Sequence, residues 1–292
     1  MDRRLQESYR TCRRMQRRHD PTYYCATSLL PAHVRPAVHA LYGFVRGADE
    51  IVDGADRLAP GAARRAALDA WQAELERGLA AGHSEHPVIA ALVDAGPRHG
   101  LPLHLLPRYI QSMRVDCDEP VRIGSRAQLD DYMEGSAATV GRVMAPLLGT
   151  PEPEAVGRLG VAFQLTNFIR DVRLDWRLDR VYLPGLPEDD LRAGAATDPL
   201  RERVAQEVAR ARALFADTAE VALLVAPGMR HGVRIARAIY ARVLDRVERN
   251  GYDVLSARVR VRPWEAAAAA LQRPPSTVAQ GAGPPRGGTP WA

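Results

Sequence analysis

Nearly every long segment of the 292-residue chain repeats its apolar residues at the period of an α-helix, and this pattern constrains the fold most strongly. No run of alternating β-branched residues bounded by turn residues predicts a strand. Prolines near the predicted helix starts and glycines near the stops, such as Pro60 and Gly100, support the same interpretation. The chain is therefore predicted to be all-α, with helices at residues 3–18, 33–54, 61–81, 87–99, 103–115, 126–147, 152–177, 198–224 and 230–250.

Composition predicts one folded domain followed by a disordered tail. Hydrophobic residues make up 46% of the chain, which is enough to bury a substantial core. Residues 273–292 are instead rich in proline and glycine, and such a segment cannot offset the entropy that is lost on folding. We expect a single domain at residues 1–272 and a disordered tail at residues 273–292.

Charge and cysteine usage narrow the classes of function. The formal net charge of +5 suits a protein that binds anionic small molecules or an acidic membrane surface. Basic and aromatic residues are not interleaved as in RNA-binding proteins, so no nucleic-acid partner is expected. Cys12, Cys25 and Cys117 include no Cys-x-x-Cys pair, and the histidines include no His-Glu-x-x-His motif, so neither a disulfide framework nor a zinc site is expected.

The chain shows no sign of export or of membrane insertion. Its N-terminus lacks the apolar stretch of a secretory signal, and no run of about 18 apolar residues could form a membrane span. We therefore expect a cytoplasmic protein that is soluble or lies peripherally at the inner face of the membrane. The oligomeric state is left open.

Two acidic motifs carry the clearest chemical signal. Asp49 and Asp53 are four residues apart, and so are Asp171 and Asp175. Residues at this spacing lie one above the other on a helix, so each motif presents two carboxylates on one face. Mg²⁺ prefers a few carboxylates together with substrate phosphate oxygens. Two such faces opposite one another would therefore hold a diphosphate through Mg²⁺, with Mn²⁺ as an alternative ion.

Each motif also has a less specific explanation. Acidic pairs are common on solvated helix faces, but the apolar residues within these two segments predict that the carboxylates are partly buried, and buried carboxylates need cations. Arg46 and Arg170 would either bind phosphate or form ion pairs with neighbouring aspartates. Small residues at 136–149 would either allow close helix packing or leave a tunnel for a long apolar chain.

The motifs and their surroundings resemble the squalene/phytoene synthase family, whose members join two prenyl diphosphates. The resemblance covers nearly the whole predicted domain, and its blocks fall in the order that the family shows. They are His19–Pro31, Ala40–Asp53, Tyr132–Gly149, Phe163–Asp171, Arg180–Pro184 and Tyr240–Arg262.

The resemblance implies an isoprenoid synthase fold, a helical bundle around a central cavity, and assigns roles to particular residues. The carboxylates Asp49, Asp53, Asp171 and Asp175 would be catalytic and would bind Mg²⁺ together with Asn167. Tyr132 would be catalytic and would line the carbocation cavity with Tyr42 and Phe44. The residues implied in binding the prenyl diphosphates are His19, Asp20, Pro21, Thr22, Tyr42, Phe44, Arg46, Gln164, Arg170 and Tyr240.

Four positions depart from the usual pattern of the family. Pro21 stands where a basic residue is common, and Asp179 stands where a glycine usually precedes the Arg-x-Tyr-Leu-Pro block. Arg173 and Leu174 replace a glycine or an acidic residue between the second pair of carboxylates. The missing basic residue at Pro21 weakens the case for one diphosphate pocket, and Arg173 is expected to lower the negative charge beside the second metal face.

The expected reaction is the head-to-head condensation of two geranylgeranyl diphosphates into phytoene through a cyclopropyl intermediate, in carotenoid biosynthesis. One alternative is a squalene or dehydrosqualene synthase that uses farnesyl diphosphate, and another is a prenyltransferase that acts on a non-prenyl acceptor. A scaffold protein is disfavoured because all four aspartates are present. The glycines lack the spacing and context of a dinucleotide-binding fingerprint, so NADPH is not expected.

Overall fold

The computed structural model of the chain describes residues 2–54 and 59–256. The prediction of an all-α fold is confirmed, since helices dominate this part of the chain. They are α1 (Arg3–His19), α2 (Pro21–Ser28), α3 (Arg35–Asp53), α4 (Gly61–Ala81), α5 (Pro87–His99), α6 (Leu106–Val115), α7 (Arg126–Met133), α8 (Thr139–Met144), α9 (Pro153–Arg177), α10 (Glu188–Ala193), α11 (Asp198–Asp217), α12 (Val221–Leu224) and α13 (Pro227–Arg249).

Most predicted helices lie where the sequence pattern placed them, and the differences occur at short elements. The bounds of α4 and α5 coincide with the prediction. The predicted helix at 126–147 is α7, a π-helical turn at Glu134–Ala138 and α8. The predicted helix at 198–224 breaks at Thr218, whose hydroxyl donates to the Leu214 carbonyl and whose own carbonyl accepts from Arg237. The sequence pattern missed α2 and α10, which are too short to show a period.

A two-stranded parallel sheet, also missed, joins distant parts of the chain. Strand β1 (Val121–Arg122) pairs with β2 (Arg180–Val181). Two residues per strand are too few to produce an alternating pattern in the sequence. The pairing brings the segment after α6 to the segment after α9, and thereby fixes the position of Arg180 next to the end of α3.

Helix α3 divides its residues between the core and a polar face. Leu41, Phe44, Ala48 and Val52 are at most 3% exposed and belong to the hydrophobic core. Successive residues turn by about 100° around a helix, so Tyr42, Arg46, Asp49 and Asp53 lie on a different face. The core stripe therefore anchors α3, and its polar face turns away from this stripe.

The small residues at 136–149 serve close helix packing. A methyl group on Gly141 would lie 2.7 Å from the carbonyl oxygen of Val156, and one on Gly160 would lie 2.8 Å from that of Ala137. Such distances are below any normal carbon–oxygen contact, so glycine is required where α8 and the π-helical turn cross α9. Of the two explanations that the sequence left open, the packing explanation accounts for these positions.

Two expectations concern the ends of the chain and its relation to membranes. The predicted domain end at residue 272 and the tail at residues 273–292 lie outside the described residues. Within the described ranges, none of the helices combines the length and the apolar character needed to cross a bilayer.

We predict that Gly160→Ala destabilises the protein by about 1–3 kcal/mol, because the added methyl group pushes α9 away from the π-helical turn. The melting temperature measured by differential scanning fluorimetry should fall. Gly228→Ala is the control, since its nearest neighbour is a proline ring carbon at 3.2 Å rather than a backbone oxygen. Equal melting temperatures for Gly160→Ala and the unmodified protein would show that the close approach is not required.

Candidate active site

The first acidic motif lies on α3 and is held from behind by α6. Tyr109, which is 1% exposed, donates its hydroxyl to Asp49 Oδ1 or to the Val45 carbonyl, each at 3.1 Å. Arg46 pairs with Glu50 one turn further along the helix rather than with Asp49. Of the two explanations for Arg46, the ion pair is present, with Glu50 as the partner.

The second acidic motif lies on the last turns of α9. Arg170 donates from Nε to Asp171 Oδ1 at 2.9 Å and forms a second bond to the other carboxylate oxygen. Asn167 donates to Gln164 at 3.4 Å, while its carbonyl oxygen is buried and accepts no hydrogen bond from any residue that the structure describes. Arg170 and Asp171 are thus paired, and an acceptor oxygen beside them is unused.

Arg180 connects the two motifs. This residue on β2 is 3% exposed, and its Nη2 atom lies 2.6 Å from Asp53 Oδ1 and 3.2 Å from the carbonyl oxygen of Asp116. Its positive charge also acts on Asp175. The C-terminal ends of α3 and α9 therefore converge on one buried guanidinium. The motifs predicted that the two helix ends face each other, but the sequence did not reveal the residue that joins them.

A buried carboxylate beside Arg180 was missed from the sequence. Asp116 accepts hydrogen bonds from the hydroxyls of Tyr132 at 2.6 Å and Tyr182 at 2.7 Å. The rings of Tyr132, Tyr182 and Phe168 lie 4.3–5.8 Å from one another, measured between centroids. A lone Asp after a predicted helix carries no signal in a single sequence, whereas Arg180 and Tyr182 belong to a block that the resemblance had marked.

The residues expected to bind substrate collect around the same end of the bundle. Tyr240 on α13 stacks on Phe163 with the ring centroids 4.2 Å apart, and its neighbours include Asn167 and Arg170. His19 Nδ1 lies 3.5 Å from Glu50 Oε1. Asp20 caps α2 by accepting from the Tyr23 amide at 2.8 Å, and Pro21 and Thr22 form the first turn of that helix.

Phe44 does not lie with this group. It is fully buried, and its ring packs on Trp71 and Tyr109 with centroid distances of 5.6 and 6.3 Å. The reason is helical geometry, because residue 44 is about 200° around α3 from Tyr42. The structure therefore places Phe44 in the core behind Asp49, whereas Tyr42 lies on the face that carries Arg46 and Asp49.

Two departures from the family pattern have structural explanations. Asp179 adopts a left-handed backbone with φ of 57°, a conformation that favours glycine, and its carboxylate pairs with Arg122 at 2.7 Å. Arg173 donates to the Ser256 carbonyl at 3.2 Å and is exposed. Arg173 therefore bonds to the Ser256 carbonyl on the exposed side of α9. The expected reduction of negative charge at the second motif is thus not explained by a hydrogen bond between Arg173 and the aspartates of that motif.

The electrostatics of the site fit a divalent cation. Burial raises the pKa of Asp49 to about 7, and burial together with the nearby Asp171 raises the pKa of Asp175 to about 8. Positive charge around these two carboxylates therefore does not offset their burial, and among the described residues no donor reaches the buried oxygen of Asn167. No three His, Cys, Asp or Glu side chains within residues 2–54 and 59–256 form a ready-made metal site. Mg²⁺ binding here would need phosphate oxygens to complete the ligand set.

The chain matches a family model and curated relatives over most of its length. The squalene/phytoene synthase family model matches residues 16–265. The phytoene synthase of Arthrospira platensis is 33% identical over 283 residues, covering 89% of this chain and 90% of the relative. The 15-cis-phytoene synthase of Synechococcus elongatus is 34% identical with the same coverage.

Solved structures share the fold. The squalene synthase HpnC from Alicyclobacillus acidocaldarius superposes with a TM-score of 0.77 at 30% identity, covering 87% of this chain and 97% of that one. A dehydrosqualene synthase solved with a ligand gives a TM-score of 0.79 at 25% identity, covering 91% and 95%. The fold is that of a squalene synthase-like isoprenoid synthase.

The chain belongs to the squalene/phytoene synthase family. It is a prenyltransferase of the type that joins prenyl diphosphates head to head.

We predict that Asp175→Asn stabilises the metal-free protein above about pH 8. The pKa of Asp175 is raised from 3.8 to about 8 on folding. Its unfavourable contribution to the free energy of unfolding therefore grows as the pH rises from 3.8 to about 8, and it is complete above about pH 8. The melting temperature in EDTA should rise by at least about 2 °C, the shift that roughly 1 kcal/mol produces in a chain of this size.

The control is Asp189→Asn, whose side chain is 93% exposed and which should leave the melting temperature unchanged. Well below pH 3.8 the difference between Asp175→Asn and the unmodified protein should vanish, because Asp175 is then protonated in both states. A lower melting temperature for Asp175→Asn at high pH would contradict the assignment of a charge-deficient site.

Proposed function

We propose that this protein condenses two molecules of geranylgeranyl diphosphate head to head into phytoene in carotenoid biosynthesis. One observation carries the proposal: carboxylates from α3 and α9 converge at Arg180, next to a cluster of three aromatic rings. The phytoene synthases that are 33–34% identical over about nine tenths of this chain support the choice of substrate and product.

Binding and orientation of the diphosphates is assigned to the cationic side chains around the motifs. Arg46 and Arg170 present guanidinium groups whose geometry matches phosphate oxygens. These groups pair with Glu50 and Asp171, and a diphosphate that binds the two arginines would share them with those carboxylates. Since the arginines are already in place, little reorganisation accompanies departure of the leaving group.

The ligands proposed for Mg²⁺, or for Mn²⁺ in its place, are Asp49, Asp53, Asn167, Asp171 and Asp175. When bound, the ion would supply positive charge to the departing diphosphate. Asp53 is held by Arg180 at 2.6 Å, which keeps this carboxylate pointed at the second motif.

The aromatic cluster suits the carbocation stage of the reaction. The cyclopropane-forming step breaks one allylic carbon–oxygen bond with release of diphosphate, forms two carbon–carbon bonds to the double bond of the second substrate and releases one proton. Ionisation of the cyclopropyl intermediate then releases the second diphosphate, and loss of a second proton after rearrangement gives phytoene. Tyr132, Tyr182 and Phe168 offer ring faces, which stabilise a cation by roughly 0.5–2 kcal/mol each, and they exclude water. Asp116 fixes both tyrosine hydroxyls, so these donors face the carboxylate rather than the cation.

A second candidate is a squalene or dehydrosqualene synthase that uses farnesyl diphosphate. It is favoured by the solved squalene and dehydrosqualene synthases at 30% and 25% identity. Squalene formation needs a hydride donor, whereas phytoene and dehydrosqualene form by loss of a proton. Transfer to a non-prenyl acceptor has no comparable support.

The experiment that distinguishes these candidates is product analysis. Purified protein is incubated with geranylgeranyl or farnesyl diphosphate, each with Mg²⁺, with Mn²⁺ or with EDTA, and with or without NADPH. We expect a phytoene peak by mass spectrometry from geranylgeranyl diphosphate, formed without NADPH and abolished by EDTA. If only farnesyl diphosphate yields a hydrocarbon, the protein is a squalene or dehydrosqualene synthase. If neither substrate yields a hydrocarbon, the proposal is refuted.

We further predict that Asp49→Ala and Asp171→Ala each lower turnover by about a hundredfold or more, the scale at which loss of one preorganised charge acts. Helical circular dichroism should persist, because Tyr109 still has the Val45 carbonyl as acceptor when Asp49 is removed. Asp131→Ala, whose side chain is 75% exposed, is the matched control and should be fully active. Near-native activity in either variant would remove that carboxylate from the site.

We also propose that the protein works at the inner face of the membrane, as a peripheral protein in the cytoplasm. The hydrocarbon product has no polar group and needs an apolar medium to receive it. The arginine-rich composition and net charge of +5 suit an anionic lipid surface.

A further inference from the structure

Most of the large apolar side chains exposed in the described part of the chain lie at two short helices that both adjoin the start of α13. Four of the six large hydrophobic residues that are exposed in the described part of the chain lie at α2 and α12. Tyr23 and Leu29 are 40% and 52% exposed, and Leu223 and Leu224 are 57% and 41% exposed. Single exposed apolar residues are ordinary, but a concentration of them indicates an interaction surface.

Both short helices flank the start of α13. On one side, methyl groups at Gly228 and Gly232 would lie 3.2 Å from Pro31 and 3.1 Å from Leu30, the residues that follow Leu29. On the other side, Arg230 donates to the Leu223 carbonyl at 3.4 Å. We call this surface the α2–α12 face and define it by its apolar residues and its arginines. They are Tyr23, Leu29, Leu223, Leu224, Arg35, Arg230 and Arg234.

The α2–α12 face is built from segments without acidic residues. Residues 21–48 and 221–244 contain no Asp or Glu, although the chain has 35 acidic residues in all. Arg234 is exposed, Arg230 lies beside Leu223, and Arg35 donates to the Leu30 carbonyl at 2.6 Å. The surface therefore combines protruding apolar side chains with positive charge, which complements anionic lipid headgroups above an acyl layer.

The face also adjoins the active site. The Tyr23 ring lies 6.0 Å from the ring of Tyr42, which shares its helix face with Arg46 and Asp49. Tyr240, which stacks on Phe163 at the site, belongs to α13, the helix between α2 and α12. Tyr23 therefore connects the exposed surface with the residues of the site.

We propose that the α2–α12 face docks onto a bilayer that contains anionic phospholipids, so that the apolar product passes from the site into the membrane. This proposal rests on the proposed function for the nature of the product. The apolar residues would enter the boundary of the acyl layer, and the arginines would contact phosphate groups.

Vesicle co-sedimentation of the full chain tests the proposal. The protein should sediment with vesicles of phosphatidylcholine and phosphatidylglycerol, much less with phosphatidylcholine alone, and less at high salt. Leu223→Ser with Leu224→Ser should weaken vesicle binding by about tenfold or more. Arg230→Gln with Arg234→Gln should weaken it by about fivefold per arginine, corresponding to roughly 1 kcal/mol each.

Matched controls come from exposed residues elsewhere. Leu79→Ser with Val115→Ser removes two hydrophobic residues that are each 38% exposed, and Arg192→Gln removes an arginine whose side chain is 67% exposed. Both should bind vesicles like the unmodified protein. All variants should keep their melting temperatures and their turnover of detergent-dispersed substrate, since none of these residues belongs to the active site.

Three results would overturn the proposal. The first is no binding to anionic vesicles, and the second is equal binding by the face variants and the unmodified protein. The third is a dimer in light scattering that Leu223→Ser with Leu224→Ser converts to a monomer, because a second copy would then cover the face. Vesicle binding without a hydrocarbon product would contradict the proposed function but not the docking proposal. A hydrocarbon product without vesicle binding would contradict the docking proposal but not the proposed function.

Discussion

The buried guanidinium of Arg180 is the interaction on which the site depends. A buried charge is expensive unless it is paired, and Arg180 is 3% exposed. Its partners are the carboxylates of Asp53 and Glu119 and the carbonyl oxygen of Asp116. Glu119 is shared with Arg64, which also donates to the carbonyls of Val52 and Cys117. The network ties the end of α3 to the segment after α6, and through β2 to the end of α9.

The same site is a compromise between stability and activity. Burial raises the pKa values of Asp49, Asp116 and Asp175, so each of these carboxylates disfavours its charged form in the folded protein. A core built for stability alone would not hold three such groups. The arrangement is understandable if cations and diphosphates complete the site during turnover, because their charges compensate those of the carboxylates.

The helix faces explain which parts of the sequence interpretation succeeded. The spacing of Asp49 and Asp53 on α3, and of Asp171 and Asp175 on α9, fixed which side chains share a face, because helical geometry is local. The same rule, applied strictly, separates Phe44 from Tyr42. The resemblance grouped the two residues together, and the structure puts Phe44 against Trp71 and Tyr109 in the core.

By itself the sequence determined the helical class, the bounds of α4 and α5 and the two acidic motifs, since all of these depend on contacts between near neighbours along the chain. Only the tertiary structure decided that Arg180 pairs with Asp53, that Asp116 receives the hydroxyls of Tyr132 and Tyr182, and that α2 and α12 flank α13. Those contacts join residues that are far apart in sequence. Their positions depend on how the helices pack and on a sheet with two residues per strand. They also depend on which buried charges need a partner of opposite sign.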